Sequence, residues 1–182
     1  MVQIRRITKA DYPNGKKVVY EYTSDSYYDV CLKENENGWN IELSLHRFDT
    51  PFRKYMEVEI FEEYIDEIEC YVAEVGDKEV GIISFYHEKW NNVVRIVDVH
   101  INPAEQKKGI GSQLIALVKK RADQMKARAI VLETQTSNYN AIQFYKKHGF
   151  DLIGFDAISY SNEDIGKKEV RLEMGFVIKQ ST

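Results

Sequence analysis

The sequence has few cysteines and no long apolar run. It contains only two cysteines, Cys31 and Cys70, far apart and outside any CxxC or Cys/His spacing, so neither a disulfide framework nor a zinc site is supported. Its apolar runs, such as residues 129–132, are far shorter than the roughly 20 residues that cross a bilayer. The N-terminal residues carry charge but neither an apolar run nor a small-residue cleavage site. We therefore expect a cytoplasmic protein that has buried cysteines and no membrane partner.

Linkers are also missing from the sequence. The three prolines, Pro13, Pro51 and Pro103, are scattered, and no internal repeat or low-complexity tract divides the 182 residues. With 43% apolar and 12% aromatic residues, a chain of this length can bury a substantial core. Its net charge of -4 lacks the basic excess that is typical of nucleic-acid binders. The sequence thus predicts a single domain over residues 1–182 and no nucleic-acid partner.

The charges are unevenly distributed along the chain. Residues 57–69 contain seven acids and no base, namely Glu57, Glu59, Glu62, Glu63, Asp66, Glu67 and Glu69. Residues 102–128 contain seven bases against two acids, and the bases are Lys107, Lys108, Lys119, Lys120, Arg121, Lys126 and Arg128. One segment suits a cationic ligand and the other an anionic ligand, although both would also fit solvated faces of surface elements.

The order of predicted elements is that of a mixed α/β fold. Residues 71–86 have the pattern of a hairpin around a turn at 76–78, and the β-branched run at 93–101 predicts a third strand. Apolar residues at steps of three and four from Ile110 to Met125 predict an amphipathic helix. A strand at 129–134, a helix capped by Asn138 and ended by Gly149, and strands near 150–159 and 169–177 complete the order. The first part of the chain gives weaker signals, with strands predicted at 18–22 and 39–45 and a loop and helix that enclose a site at 50–66.

A glycine-containing turn separates the predicted strand at 93–101 from the helix that follows. Its sequence is Gln106-Lys107-Lys108-Gly109-Ile110-Gly111-Ser112. Such a turn presents backbone N–H groups at a helix N-terminus, where they can bind a pyrophosphate, and its glycines let the phosphate approach the backbone. The patterns GxxxxGK[ST] and GxGxxG are both absent, which excludes those two nucleotide-binding motifs. The turn is a candidate phosphate site, or else a glycine turn without a ligand.

This turn resembles the Gln/Arg-x-x-Gly-x-Gly/Ala loop of the GCN5-related N-acetyltransferases, the GNAT superfamily. Residues 138–150, NYNAIQFYKKHGF, resemble the second block of that superfamily, Asn-x-x-Ala-x-x-Phe-Tyr-x-x-x-Gly-Phe. The resemblance covers residues 70–177 and implies the GNAT fold, with a mixed central sheet, a splayed cofactor-binding strand pair and flanking helices. It further implies acetyl-CoA as co-substrate, no metal, and a division into an acceptor-side part, residues 1–69, and an acetyl-CoA-binding core, residues 70–177.

The resemblance also assigns cofactor contacts. The backbone of Val99 and Ile101 would pair with the pantetheine arm, and an N–H near Val99 or His100 would face the thioester oxygen. The whole turn, residues 106–112, and Asn138 would contact coenzyme A. By pattern alone, Val99 and Ile101 would be buried core and Asn138 would be only a helix cap.

Catalytic groups follow from the resemblance and from the chemistry. Tyr145 stands where the superfamily places the tyrosine that protonates the coenzyme A thiolate, although it would also fit as a packing aromatic. An acceptor ammonium must lose a proton before it attacks, so a carboxylate is the expected base. Asp98 lies in the apolar run VVRIVDVHI, where a charge usually has a partner or a function, although an outward Asp98 beside Arg95 would also explain it. Glu133 on the next strand is the second candidate, and His100 is the third.

A narrower resemblance indicates the acceptor. The segments LETQTSN at 132–138, GFD at 154–156, WN at 90–91 and PFRKY at 51–55 together resemble streptothricin acetyltransferases, which acetylate the β-lysine amine of a polycationic antibiotic. This resemblance implies antibiotic resistance and a small cationic amine as substrate. Acids at Glu62, Glu63 and Asp66 would attract it, and Tyr28 and Trp90 would line its pocket, although both aromatic residues would also fit ordinary packing. Charge alone does not separate streptothricin from a polyamine, an aminoglycoside or a lysine side chain.

Two classes of function stay open at this level. One is an enzyme, and the other is an acyl-CoA sensor or assembly domain without turnover. Tyr145 and a carboxylate on the cofactor strand favour the enzyme. The oligomeric state is open, with a homodimer as one option.

Overall fold

The computed structural model describes residues 1–61 and 67–179. Its strands are β1 Val2–Ile7, β2 Lys17–Asn35, β3 Gly38–Glu59, β4 Glu69–Val75, β5 Lys78–Glu88, β6 Val93–Ile101, β7 Ala129–Gln135, β8 Asp151–Asp156 and β9 Arg171–Val177. Its α-helices are α1 Ile110–Gln124, α2 Tyr139–Lys147 and α3 Asp164–Lys167, and short 3-10 helices occur at Lys9–Asp11 and Pro103–Glu105. In the part of the chain that is described, no helix has the length and apolar character needed to span a membrane.

The chain forms two compact units, each assembled from segments that are distant in sequence. The first comprises Met1–Tyr20, Met56–Leu132 and Gly175–Thr182, and the second comprises Glu21–Tyr55 and Glu133–Met174. The predicted division of one domain between residues 69 and 70 stays a prediction.

The sheet of the first unit carries the strand that precedes the glycine turn. Its strands are hydrogen-bonded in the order β1-β4-β5-β6-β7, antiparallel from β1 to β6 and parallel between β6 and β7. The parallel register pairs Val93, Val94 and Arg95 with residues 129–131, and β6 continues to Ile101 beyond that register. This short pairing is the splayed arrangement that the family resemblance implies. The predicted mixed α/β fold with flanking helices is confirmed.

A glycine allows the close packing of β5 against β6 and α1. A Cβ on Gly81 would lie 2.7 Å from Cδ1 of Ile101 and 3.3 Å from Cγ2 of Ile110, so a side chain at this position would force its neighbours to move. Just past β6, the N–H of Asn102 donates to the carbonyl of Val80 at 2.8 Å. On α1, the apolar stripe buries Ile110, Leu114, Ile115, Val118 and Ala122. These contacts fix the end of β6 and the start of α1, between which the glycine turn lies.

In the second unit, aromatic rings line the long hairpin of β2 and β3. The ring centroids of Tyr27 and Phe48 are 4.4 Å apart, those of Phe48 and Phe52 5.3 Å, and those of Phe52 and Tyr22 6.1 Å. The N–H of Tyr28 donates to the carbonyl of Thr136 at 3.1 Å. A two-stranded sheet is only marginally stable by itself, so these contacts stabilise the base of the hairpin.

From residue 70 onward, the predicted elements are confirmed. The hairpin, the strand at 93–101, helix α1, strand β7, helix α2 and the last two strands all occur, with bounds that differ by a few residues. Asn138 caps α2 as predicted, because its Oδ1 accepts from the N–H of Ala141 at 3.3 Å.

The prediction for the N-terminal part is wrong in several places. Residues 50–59 continue β3 instead of forming loop and helix, and residues 62–66 lie outside the described part of the chain. Strands β2 and β3 extend well beyond 18–22 and 39–45, and β1 was not predicted. The hairpin is largely solvated, so it lacks the regular apolar alternation that marks a half-buried strand. Cys70 is buried as expected, whereas Cys31 is only half-buried.

Candidate active site

The turn between β6 and α1 exposes backbone at the start of a helix. Gly109, the N-cap residue, has φ 85°, and no atom lies within 4 Å of the position that its Cβ would take. Lys107 also adopts a left-handed conformation, with φ 62°. The N–H of Gln113 donates to the carbonyl of Gly109 at 3.1 Å. The amides of Ile110 and Gly111 precede this bond, at positions where a helix offers its N–H groups no internal acceptor. This geometry fits a pyrophosphate at the helix N-terminus.

Side chains of the turn tie it to the strand and to the core. Gln106 donates through Nε2 to the carbonyl of Ile101 at 3.2 Å, which joins the turn to the end of β6. The ammonium of Lys108 lies 3.0 Å from the carboxylate of Glu105. Ile110 is 2% exposed, so its side chain belongs to the core and only its backbone can contact a ligand.

A β-bulge shapes β6 just before the predicted cofactor-pairing residues. Ser84 lies opposite Asp98 and Phe85 opposite Ile96, which leaves Val97 as an extra residue on β6. A bulge bends a strand and turns its side chains locally. The three residues that follow Asp98, namely Val99, His100 and Ile101, are half-buried rather than part of a closed core.

Asp98 is a buried carboxylate with a hydrogen bond to each oxygen. It is 8% exposed, its Oδ1 accepts from Tyr20 Oη at 2.9 Å, and its Oδ2 accepts from Ser84 Oγ at 2.5 Å. Burial raises the pKa of Asp98, and the hydrogen bonds from Ser84 and Tyr20 offset part of that rise. Arg95 lies instead 3.7 Å from the carboxylate of Glu88. Asp98 is therefore an inward residue with partners of its own, not an outward one paired with Arg95.

Further titratable groups surround Asp98. Cys70 lies opposite Ser84 on β4, and burial together with the charge of Asp98 raises the pKa of Cys70 to about 12. The ring of His100 meets the ring of Tyr20 edge-on, with centroids 5.3 Å apart. Burial lowers the pKa of His100, which favours the neutral imidazole. Because its pKa is raised to about 12, the Cys70 thiol stays protonated at neutral pH.

Sequence reasoning missed Tyr20 and Ser84. Ser84 gives a weak signal as a hydroxyl within the apolar run GIISFY, but the bulge at Val97 shifts the register and hides its pairing with Asp98. Tyr20 is one of 12 tyrosines and lies 78 residues from Asp98, so the sequence offers no signal for it.

The described acids of the segment 57–69 have partners within the chain. Their contacts are Glu57 with Lys17 Nζ at 2.7 Å, Glu59 with the Lys16 N–H at 2.7 Å, Glu67 with Lys89 at 2.6 Å, and Glu69 with Arg121 at 2.6 and 3.0 Å. The three acids predicted to bind the acceptor, Glu62, Glu63 and Asp66, lie outside the described residues. Their role stays a prediction.

In the second unit, Tyr145 packs among aromatic rings. It is 8% exposed, and its ring lies 5.4 Å from that of Phe144 and 6.0 Å from that of Phe150, at steep angles. The packing alternative is thus observed, and the role as proton donor stays a prediction.

Glu133, also in the second unit, is held by a cation. Its carboxylate lies 2.7 Å from Nη1 of Arg171 and accepts from the hydroxyl of Tyr160 at 3.0 Å. The guanidinium of Arg171 and the hydroxyl of Tyr160 thus already occupy the carboxylate oxygens of Glu133. Asp98 has no cation among its hydrogen-bond partners in the described chain, which favours it as the base.

The two residues predicted to line an acceptor pocket lie in different settings. The hydroxyl of Tyr28 accepts from Gln143 Nε2 at 3.2 Å, and its ring centroid is 6.2 Å from that of Tyr139. Trp90, in the turn between β5 and β6, is 85% exposed. Their contact with an acceptor stays a prediction.

Comparison with known proteins identifies the family. The chain matches the model of the acetyltransferase (GNAT) family over residues 10–150. It belongs to this family and is an N-acetyltransferase. Streptothricin acetyltransferase of Escherichia coli is 33% identical to it over 134 residues, which are 73% of this chain and 72% of that protein.

Two solved structures match nearly the whole chain. A candidate streptothricin acetyltransferase of Bacillus anthracis str. Ames, in complex with acetyl coenzyme A, has a TM-score of 0.77 at 25% identity and covers 98% of both chains. Nourseothricin acetyltransferase has a TM-score of 0.79 at 22% identity, covering 98% of this chain and 99% of that one. An aminoglycoside 6'-N-acetyltransferase complexed with coenzyme A matches only 64% of this chain and 77% of its own, with a TM-score of 0.55 at 15% identity. The last two matches show the fold alone.

Proposed function

We propose that this protein transfers the acetyl group of acetyl-CoA to the β-lysine amine of streptothricin and thereby confers resistance to that antibiotic. The observation that carries the proposal is the extent of the structural match. The chain covers 98% of the Bacillus anthracis protein, but only 77% of the aminoglycoside acetyltransferase at a much lower TM-score. The match to the Bacillus anthracis protein therefore includes the long β2–β3 hairpin as well as the family core. The proposal places the reaction in the cytoplasm, with a small cationic amine as the acceptor substrate.

The glycine turn supports acetyl-CoA as the co-substrate. The left-handed Gly109 with open space at its Cβ position and the helix amides that follow suit a pyrophosphate, and Lys107 adds positive charge. Val99 and Ile101 on the open part of β6 would pair with the pantetheine arm. Acetyl-CoA supplies the activated acyl group as a thioester, and the chain binds and orients it.

The proposed chemistry needs a base and an acid. Asp98 takes up the proton that the acceptor ammonium loses, and its raised pKa makes it a stronger base than an exposed aspartate. Tyr145 donates a proton to the leaving thiolate. A phenol ordinarily titrates near pH ~10, so it carries its proton at neutral pH and can donate it to the sulfur as the C–S bond breaks. The phenolate then takes a proton back from solvent.

Thiol release tests the proposed function. Purified protein and acetyl-CoA are mixed separately with streptothricin, spermidine and a lysine-rich peptide, and the acetylated product is identified by mass spectrometry. We expect rapid release and a single acetylation with streptothricin and much slower release with the other amines. Preference for spermidine or the peptide would retain the acetyltransferase and reject streptothricin as its substrate. In a sensitive bacterium, expression of the wild type should raise the inhibitory streptothricin concentration, and expression of Asp98→Asn should not.

A further inference from the structure

The two hydrogen-bond donors to Asp98, Ser84 and Tyr20, differ in burial and in the element on which they lie. Ser84 is 0% exposed and lies between Asp98 and Cys70 in the cross-strand register. A proton passed through its hydroxyl would therefore come from the interior of the sheet. The thiol of Cys70, with a pKa of about 12, offers no base there. Tyr20 is half-buried and lies on β2, outside the strands that surround Asp98. Among these contacts, that of Tyr20 is the one made by a residue outside the sheet, so its hydroxyl is the candidate link between the carboxylate and a bound acceptor.

The phenol of Tyr20 is held in place. Its ring packs against a buried apolar cluster that includes Ile7, Val18 and Ile60, and the ring of His100 contacts it edge-on at 5.3 Å. The hydroxyl therefore keeps its 2.9 Å hydrogen bond to Oδ1 of Asp98 without a large loss of side-chain entropy. His100 is favoured as the neutral imidazole because burial lowers its pKa, so it adds no positive charge beside the phenol.

We propose that Tyr20 relays the proton of the acceptor amine to Asp98. This inference rests on the proposed function, because it requires an ammonium acceptor. The O–H bond of Tyr20 breaks as its proton moves to Asp98 Oδ1, and a new O–H bond forms as Tyr20 takes a proton from the ammonium nitrogen. The amine loses one proton, Asp98 gains one, and Tyr20 ends unchanged. Asp98, 8% exposed, then needs no direct contact with the acceptor.

Three variants separate a relay from a structural contact. Tyr20→Phe removes the relay and one donor to Asp98. Ser84→Ala removes the other donor but not the relay. Tyr12→Phe is the matched control, because Tyr12 packs against the same apolar cluster and its hydroxyl donates to Glu79 instead. Each is assayed from acid to alkaline pH with the amine that the wild type acetylates best, so that the relay is tested even if that amine is not streptothricin.

We expect Tyr20→Phe to lower kcat by roughly 10-fold to 100-fold at every pH, because general-base transfer contributes at least that much. The KM for acetyl-CoA should stay within about twofold of wild type, since Tyr20 is not placed at the cofactor turn. Ser84→Ala should instead move the acid limb of the profile to higher pH, because losing a donor to the carboxylate raises the pKa of Asp98 further. Tyr12→Phe should match the wild type.

The relay is overturned if Tyr20→Phe behaves like Tyr12→Phe, or if it only moves the acid limb as Ser84→Ala does. Thermal unfolding and acetyl-CoA binding establish that each variant is folded. If Tyr20→Phe does not fold, 3-fluorotyrosine at position 20 keeps the hydroxyl and the packing while making the phenol more acidic. A changed kcat and solvent deuterium isotope effect would then support the relay, and unchanged values would reject it.

Discussion

Ser84 and Asp98 lie directly opposite each other on β5 and β6, and the serine hydroxyl donates to Asp98 Oδ2 at 2.5 Å. This pair stands at the bulge that leaves Val97 unmatched, immediately before the residues expected to bind the cofactor. The bulge therefore places a buried carboxylate next to the open part of β6.

Replacing Asp98 should separate activity from stability. We expect Asp98→Asn to lower kcat by about 100-fold or more, because it removes the proposed base. The folded pKa of Asp98 lies above its ordinary value of 3.8, so ionisation destabilises the fold as the pH rises past that value. The neutral variant should therefore melt at the same or a higher temperature at pH ~7.

Kinetics and calorimetry of the same sample check both parts. In the wild type, kcat/KM should fall as acidification protonates Asp98. An Asp98→Asn variant with the wild-type kcat would exclude Asp98 as the base and direct attention to His100.

The backbone of the glycine turn can be tested with a matched pair of glycines. Gly109 and Gly76 have φ 85° and 60°, and each has open space at its Cβ position. Alanine at either position should cost about 1–2 kcal/mol of backbone strain. Only Gly109→Ala should also weaken acetyl-CoA binding, because only its methyl group would stand beside the pyrophosphate. Denaturant unfolding measures the strain and titration calorimetry the affinity. Equal affinities for the two variants would contradict the placement of the pyrophosphate.

The half-buried ion pair of Glu69 and Arg121 should contribute to stability in acid. Burial would raise the pKa of Glu69, but hydrogen bonds from Arg121 and Tyr71 outweigh it and lower the pKa. The stabilisation is therefore complete above the ordinary glutamate pKa of about 4.3 and is lost as the pH falls through the folded value. We expect Arg121→Met to cost about 2 kcal/mol at neutral pH, because it leaves the buried carboxylate of Glu69 with the hydroxyl of Tyr71 but without its hydrogen-bonded cation.

Urea unfolding at several pH values measures this effect. The control is Lys17→Met, which removes an exposed ion pair with Glu57 and should change stability little. A similar, small loss in both variants would show that Glu69 finds enough water or other donors to stay solvated.

Asn138 can be tested for two roles at once. Asn138→Ala should cost about 1 kcal/mol, because it removes the oxygen that accepts from the Ala141 N–H. Asn138→Asp keeps that acceptor and should restore the stability. If the amide also donates to pantetheine, the KM for acetyl-CoA should stay raised in Asn138→Asp. Recovery of both stability and KM in the aspartate variant would leave Asn138 as a helix cap only.

The sequence predicted the elements of residues 70–177 more accurately than those of residues 1–69. The strand at 93–101, the start of α1 at Ile110 and the cap at Asn138 depend on neighbours within a few residues, so periodicity and capping rules apply to them. In the long hairpin, residues 50–59 were predicted as loop and helix because exposed strands lack a continuous apolar face. Pairing between β2 and β3 decides their conformation, and the local sequence pattern does not predict that pairing.

By itself, the sequence determined the family, the α/β order of elements and the glycine turn, because these depend on short motifs and local periodicity. It also placed a charge at Asp98 within an apolar strand. Only the tertiary structure decided what that charge contacts. Its partners, Ser84 and Tyr20, lie 14 and 78 residues away, and the bulge on β6 sets the register that joins the first of them. The fold also determined that Glu133 pairs with Arg171 and that the described acids of 57–69 have internal partners. Such contacts depend on the strand register and packing of the whole chain, which no local stretch of sequence specifies.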